Sequence, residues 1–278
     1  VSFLPKKTKS GEAVSYASYS NKVPLLRMDV VDTQTGAVKG SLHYNADAGS
    51  LPFYDMEQLT GMNYAFSVKV LEGSYELPFW AGTKHFYTYP FQVDKKTNAD
   101  PYAPVHDFYF LHGPWEDWGH VEFGPDGHFI FNCYLTYQTT TVPNSARWNV
   151  RKSNKYLVKL YREGKMVAVH NLNSENKFNE GDIQLDNGKW RKYDATLHKY
   201  PVPNKNDKPF FKKEDLKDGN YTVEVLLKDE AGTTITHKYG FIVKDNAVVP
   251  NEKADRTKNT NPLQVLEQGR DRFFVKKM

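Results

Sequence analysis

Two runs of alternating apolar and polar residues meet at Gly124-Pro125-Asp126-Gly127, and nothing else in the sequence restricts the fold as tightly. The tetrapeptide reads as a type I turn followed by a glycine free to take positive φ, a common hairpin loop with a bulge. That loop pairs Gly124 with His128, Phe123 with Phe129 and Val121 with Phe131. Successive strand residues point to opposite faces. Val121, Phe123, Phe129, Phe131, Cys133, Leu135 and Tyr137 are therefore expected on a core side. His120, Glu122, His128, Ile130, Asn132 and Tyr134 are expected on the other, facing solvent.

The surrounding stretch, Val105 to Tyr137, holds four of the nine histidines, two of the five tryptophans and the single cysteine, so candidate chemistry concentrates there. His120 and Glu122 stand two apart on one strand, with His128 and Asn132 on its neighbour within side-chain reach. Imidazole and carboxylate are ligands for zinc and other divalent metals, and they are the usual acid–base groups near neutral pH. His120, Glu122 and His128, with His106 or His112 as further candidates, form the expected metal or acid–base set. A divalent metal ion is the one cofactor these residues suggest. Trp115 and Trp118, with His120 and Tyr134, form the expected binding surface for a glycan or a partner protein. Against both stands a purely structural reading: the outer face of an antiparallel sheet is polar because water touches it. His120-Val121-Glu122 is also similar to the H-x-H strand motif of the cupin barrels. Here Glu122 stands at the second histidine position, and no later glutamate follows at that family's interval.

The single cysteine excludes an intramolecular disulfide. On the core face Cys133 is expected to be an inert thiol. Cysteine poverty suits an exported bacterial protein, and a chain that opens on Val1 fits processing or trimming, so the expected location is extracellular or periplasmic. No apolar run approaches the length of a membrane span. Net charge is +4, and the segment Asn251 to Met278 alone carries seven Lys/Arg against four Asp/Glu. The remainder is nearly neutral, which argues against a nucleic-acid-binding domain with a basic face of its own.

Tyr, Phe, Val and Thr fill strands rather than helices, and 18 Tyr with 17 Phe point to an all-β chain. Residues 1 to 22 read as an extended arm with one edge strand at most. Leu25 to Asp32 and Ala37 to Tyr44 read as a hairpin, Asp55 to Met62 as a helical turn, and Tyr64 to Leu71, Tyr75 to Trp80 and His85 to Val93 as strands. An aromatic-rich sandwich or jelly-roll is expected over residues 1–143, with the linker at Gln138 to Ser145. A second domain is expected over 148–247. It includes a hairpin closed by Glu163-Gly164 that gathers Tyr156, Val158, Leu160, Val167 and Val169 in its core and leaves His170 outside. Residues 248–278 read as a basic tail that docks through a short helix after Asn261-Pro262 and a last strand around Phe273-Phe274-Val275. No internal repeat, phosphate-cradling glycine loop, nucleophile elbow or paired zinc-type cysteines stand out.

Asp215-Leu216-Lys217-Asp218-Gly219-Asn220-Tyr221-Thr222-Val223 resembles the penultimate-strand entry of immunoglobulin-like and fibronectin-like sandwiches. In those families a tyrosine two residues after a glycine sits at the corner with its hydroxyl bonded back to the backbone. The resemblance implies that role for Tyr221 and an immunoglobulin-like fold for roughly residues 150 to 246. Asp218 abuts the glycine directly, a small departure, and no cysteine follows. The expected function is a secreted or cell-surface binding or structural protein. The alternatives are an acid–base or metal-assisted enzyme and a scaffold subunit of a larger assembly, joined through the tail and the N-terminal arm.

Overall fold

The structure, a computed structural model, describes residues 2–5, 26–44, 54–55, 70–81, 83–103, 105–140, 151–170, 180–188, 190–202, 208–229, 231–249, 263–264 and 272–278. The strands in order are β1 (Ser2–Pro5), β2 (Leu26–Asp32), β3 (Val38–Tyr44), β4 (Tyr54–Asp55), β5 (Gly73–Ala81), β6 (Lys84–Thr97), β7 (Asp107–His112), β8 (Trp118–Phe123) and β9 (Phe129–Leu135). They continue with β10 (Arg151–Arg162), β11 (Lys165–Val169), β12 (Gly181–Asp186), β13 (Arg191–Thr196), β14 (His198–Lys199), β15 (Gly219–Asp229), β16 (Thr234–Lys244), β17 (Ala247–Val248), β18 (Leu263–Gln264) and β19 (Arg272–Lys277). Among the described residues only the short 3-10 turns Pro114–Glu116 and Lys213–Asp215 are helical, so the chain is all-β. None of the described helical segments is long and apolar enough to cross a membrane.

The hairpin forms as its turn dictates. Gly127 takes φ +75°, Gly124 N donates to His128 O at 2.9 Å, and Val121 and Phe123 register with Phe131 and Phe129. Val121, Phe123, Phe129, Phe131, Cys133 and Leu135 are all buried, with Tyr137 packed against them. The division of the chain, however, lies elsewhere than the expected boundary at residues 143–148. One compact unit comprises Val1–Lys95, Leu111–Gly113 and Arg256–Gln268; the other comprises Lys96–Phe110, Pro114–Asp255 and Gly269–Met278. Strands β8 and β9 hydrogen-bond to β19 and β13 and share one core with β10, β15 and β16. A hairpin with phenylalanines on its inner face needs an opposing sheet, and in the second unit the later strands supply it.

The second unit is a β-sandwich made from one sheet that turns back on itself, in the order β13-β9-β8-β19-β16-β15-β10-β11-β14. Strand β12 also pairs with β10, and β17 with β16. Strands β8 and β19 separate β9 from β16, yet Phe131 packs on Tyr239 at a ring distance of 5.0 Å and Phe129 stacks on Phe241 at 6.2 Å. The polar stretch between β11 and β15 contributes the strands β12, β13 and β14. In the tail, β19 pairs with β8 and β16. Leu263–Gln264, where the short helix was expected to begin, are instead extended and pair with β1; the rest of that helix lies outside the described residues. The expected strand Tyr64 to Leu71 likewise lies outside them up to Val70, and of the expected turn at 55–62 only Asp55 is described, paired with Ser2.

The first unit has strands in the order β3-β2-β5-β6, and a three-stranded sheet joins β18, β1 and β4. An internal repeat that the sequence hides emerges from the pairing. The order β3-β2-β5-β6 is repeated as β11-β10-β15-β16. Each copy bulges at the same place, between Val30 and Val31 in one and between Leu160 and Tyr161 in the other. Tyr75 faces Asp32 and Phe91 across the sheet, as Tyr221 faces Arg162 and Phe241. The Tyr75–Phe91 rings stack at 5.2 Å and the Tyr221–Phe241 rings at 5.0 Å.

Both tyrosines close the same corner. The Tyr221 hydroxyl donates to Lys217 O at 3.0 Å and accepts from Lys217 N at 3.1 Å; Tyr75 does the same to Leu71 at 3.0 and 3.2 Å. A glycine two residues earlier, at φ +145° in one copy and +153° in the other, occupies backbone space that side chains avoid. Val30, Tyr75 and Val93 form the buried core of the first copy, and Leu160, Tyr221 and Val243 are their counterparts in the second.

The bulge corrects one expectation. It sets Leu160 opposite Ala168, so Ala168 enters the main core, while Val169 points to the opposite face beside Leu157 and Val202. His170 then falls on the inner side, where its ring contacts the Tyr156 hydroxyl at 2.8 Å and Thr196 O at 3.0 Å. One extra residue in a ladder exchanges the faces of everything beyond it.

Candidate functional site

The face of β8 and β9 opposite the core is organised in rungs. One rung runs Phe274, His120, Asn132, Asp194 across β19, β8, β9 and β13; the next runs Arg272, Glu122, Ile130, Thr196. Sequence alternation places these residues together correctly, but water is not what they meet. His120, Glu122 and Asn132 are 7%, 2% and 0% exposed. The reason is topological. Strands β8 and β9 lie inside the sheet between β19 and β13, whose residues flank these rungs on both sides, while Trp118 and Tyr134 farther along the same face are half-exposed. Phe274 lies beside His120 at a ring distance of 6.1 Å. Neither Oδ1 nor Nδ2 of Asn132 finds a hydrogen-bond partner among the described residues.

His128 does not join His120 and Glu122. It sits at the hairpin mouth just before β9, two residues from Ile130, the partner of Glu122, and four from Asn132, the partner of His120. There it bridges to Lys212, and its ring lies tilted against Phe210 at 4.2 Å, while His198 stacks on Phe210 at 4.6 Å. His112 lies 3.6 Å from Asp94 in the first unit. Among the described residues no group of three or more His, Cys, Asp or Glu side chains is placed to hold a metal ion.

The aromatic candidates fare differently. Trp115, in the 3-10 turn before β8, is half-buried edge-on against Trp190 at 6.1 Å. Trp118 and Tyr134 are half-exposed, on the same face as His120 and Asn132, and register beside Lys276 and Lys192. This end of the face joins apolar ring surface to ammonium groups and can hold a sugar ring or a polar peptide.

A further candidate contact residue escaped sequence reasoning. Tyr102 is 92% exposed at the tip of the loop between β6 and β7, and the loop is built rather than slack. Asn98 Oδ1 accepts from Asp100 N at 2.9 Å, Asp100 Oδ1 accepts from Tyr102 N at 2.9 Å, and Asn98 N donates to His106 O at 2.7 Å. Asn98 Nδ2 also donates to Thr140 O at 2.7 Å. The Asn98-x-Asp100-Pro101 spacing carries the signal, since Asn and Asp side chains close such turns on their own backbone.

The perturbed groups are structural. Burial pushes the Cys133 thiol up to about 12, so it stays protonated and unreactive. Burial, and then the neighbouring Cys133, raises the Tyr239 hydroxyl. Burial and the Lys277 ammonium push His237 down to about 4, and burial lowers His170. No protein-family model matches the chain, and no curated protein matches it either.

Proposed function

We propose that the chain is a binding or structural protein that works outside the bacterial cytoplasm, with sandwich units of the immunoglobulin-like kind as its frame. The observation that carries this reading is the repeated frame with diverging outer faces. In the first copy the positions beside the bulge carry a charged and aromatic ladder. Arg27 stacks over Trp80 at 5.0 Å and pairs with Asp29 at 3.1 Å, and Trp80 meets His85 at 5.0 Å. In the second copy the same two positions are Leu157 and Leu226, closed over by Val169, Tyr200 and Val202. A constant frame with changing surfaces suits recognition and assembly, since function lies in what a fold carries on its surface. The contact surfaces are Trp118 and Tyr134 with their lysines, and Tyr102 on its loop. Exposed, rigidly held aromatics favour a glycan or a partner protein. The enzyme alternative rests on His120 and Glu122, and among the described residues no group of three or more His, Cys, Asp or Glu side chains is placed to hold a metal ion.

A glycan array probed with the intact chain, with Trp118→Ala and with Tyr102→Ala tests the reading. Binding to one glycan class that weakens at least tenfold in either variant supports it. Binding that neither variant changes removes these two surfaces. Fractionation of the source cells tests the location; recovery in the cytoplasm would overturn it.

A further inference from the structure

Strand β19 occupies a place that its position in the chain does not suggest. Strand β17 ends at Val248, and residues 249–271 intervene before β19 begins. β19 does not then extend a free edge. It enters between β8 and β16, registering with β8 from Arg272↔Glu122 to Lys276↔Trp118 and with β16 at Lys277↔Tyr239 and Lys276↔Gly240. Lys277 N donates to Asp117 O at 2.7 Å and Met278 N to Lys238 O at 2.8 Å. Val275 is 1% exposed in the main core, and Phe273 packs edge-on to Phe123 at 6.3 Å.

The slot that receives this strand is specific in three ways. Its two walls present backbone groups that pair only with an extended segment. Its floor takes alternate apolar side chains, Phe273 and Val275. Its far end is fastened by backbone bonds, Lys277 N to Asp117 O and Met278 N to Lys238 O. All of these are properties of residues 272–278 themselves, so the same segment of another copy meets them equally. The connection at 249–271 includes Leu263–Gln264, which pair with β1, and seven residues lead from there to β19. Exchange of an identical element is a low-cost route to assembly, and strand addition is a recurrent mode of peptide capture.

We propose that β19 is an exchangeable donor strand, and that residues 272–277 of one copy fill the slot between β8 and β16 of another. The proposal rests on the reading of this chain as a binding or structural protein and names its partner as a second copy. A blank glycan array leaves it standing, and a failed exchange leaves glycan recognition standing.

The test uses the full chain with a protease site inserted between residues 251 and 262. The chain is cut after folding and offered a fluorescent peptide of residues 269–278. The expected result is release of the native segment with uptake of one labelled peptide per chain, and at least tenfold weaker uptake of the Val275→Asp peptide. No uptake, or equal uptake of the Val275→Asp peptide, overturns the proposal. As a second measurement, two uncut populations with different dyes are mixed, held in mild denaturant and returned to buffer. Energy transfer that survives dilution supports exchange, and monomers alone overturn it.

Discussion

The two units share a frame and differ in how it is closed. The first copy holds its corner with Tyr75, Gly73 and a compact set of Val30, Val93 and Phe91; the second repeats each of these positions and adds the Phe123–Phe129–Phe131 hairpin as an opposing layer. Outside the core, one copy shows the Arg27–Trp80–His85 ladder where the other hides leucines. The lesson is that the corner and the bulge are the conserved physics of the frame, and the facing layer and outer surface are where each copy is free to differ.

The largest effect should come from removing the layer that faces the second copy. Phe131→Ala, in a fully buried ring contact with Tyr239, should cost about 3–5 kcal/mol, read by chemical denaturation of the intact chain. A cost near zero would mean that the hairpin is not the facing layer. The next comparison tests equivalence directly. Tyr75→Phe and Tyr221→Phe each remove a hydroxyl that both donates and accepts, at about 1–3 kcal/mol apiece. Costs that differ severalfold would break the claim that the two corners are one device. Glycine substitution should separate the copies slightly. Gly73→Ala and Gly219→Ala both strain the backbone, by roughly 1–3 kcal/mol. Gly219→Ala should cost more, because its new methyl meets the Glu163 carboxylate at 2.9 Å while at Gly73 the nearest atom is 3.6 Å away.

Acid should find the second unit through His237 and His170. Both are held below the ordinary histidine value of 6.5, so between that value and about 4 the unfolded chain binds more protons than the folded one. Stability is therefore complete above pH 6.5 and falls as the pH drops toward 4. His237→Gln should flatten part of that slope in a series of thermal melts. The smallest effect is a null one: Cys133 in the native chain should resist iodoacetamide at pH 8 and react only on unfolding, as mass spectrometry would show.

Much of this architecture was legible in the sequence because it is written locally. The turn at Gly124-Pro125-Asp126-Gly127 fixes its own register, Glu163 and Gly164 take the positive φ values of +47° and +75° that a tight primed turn needs, and Asp218-Gly219-Asn220-Tyr221 marks its corner. What sequence could not supply is what lies across from a strand. His120 and Glu122 alternate as outward residues should, yet both are buried, and the residues beside them in their rungs come from β19 and, across β9, from β13, both distant in the chain. The repeat stayed hidden for a related reason. Leu71-Glu72-Gly73-Ser74-Tyr75 and Lys217-Asp218-Gly219-Asn220-Tyr221 share only the glycine and the tyrosine letter for letter. Backbone conformation and hydrogen bonding reveal the match, which residue identity does not.

Strand β19 also has a mechanical meaning. Its backbone bonds to β8 lie side by side from Arg272 to Lys276, and Lys277 and Met278 are fastened at Asp117 and Lys238. A pull along the strand through Met278 loads these bonds in parallel, as shear, instead of opening them singly from one end. The last six-residue strand is thus a rivet, able to carry tension into the sandwich from whatever is joined to it.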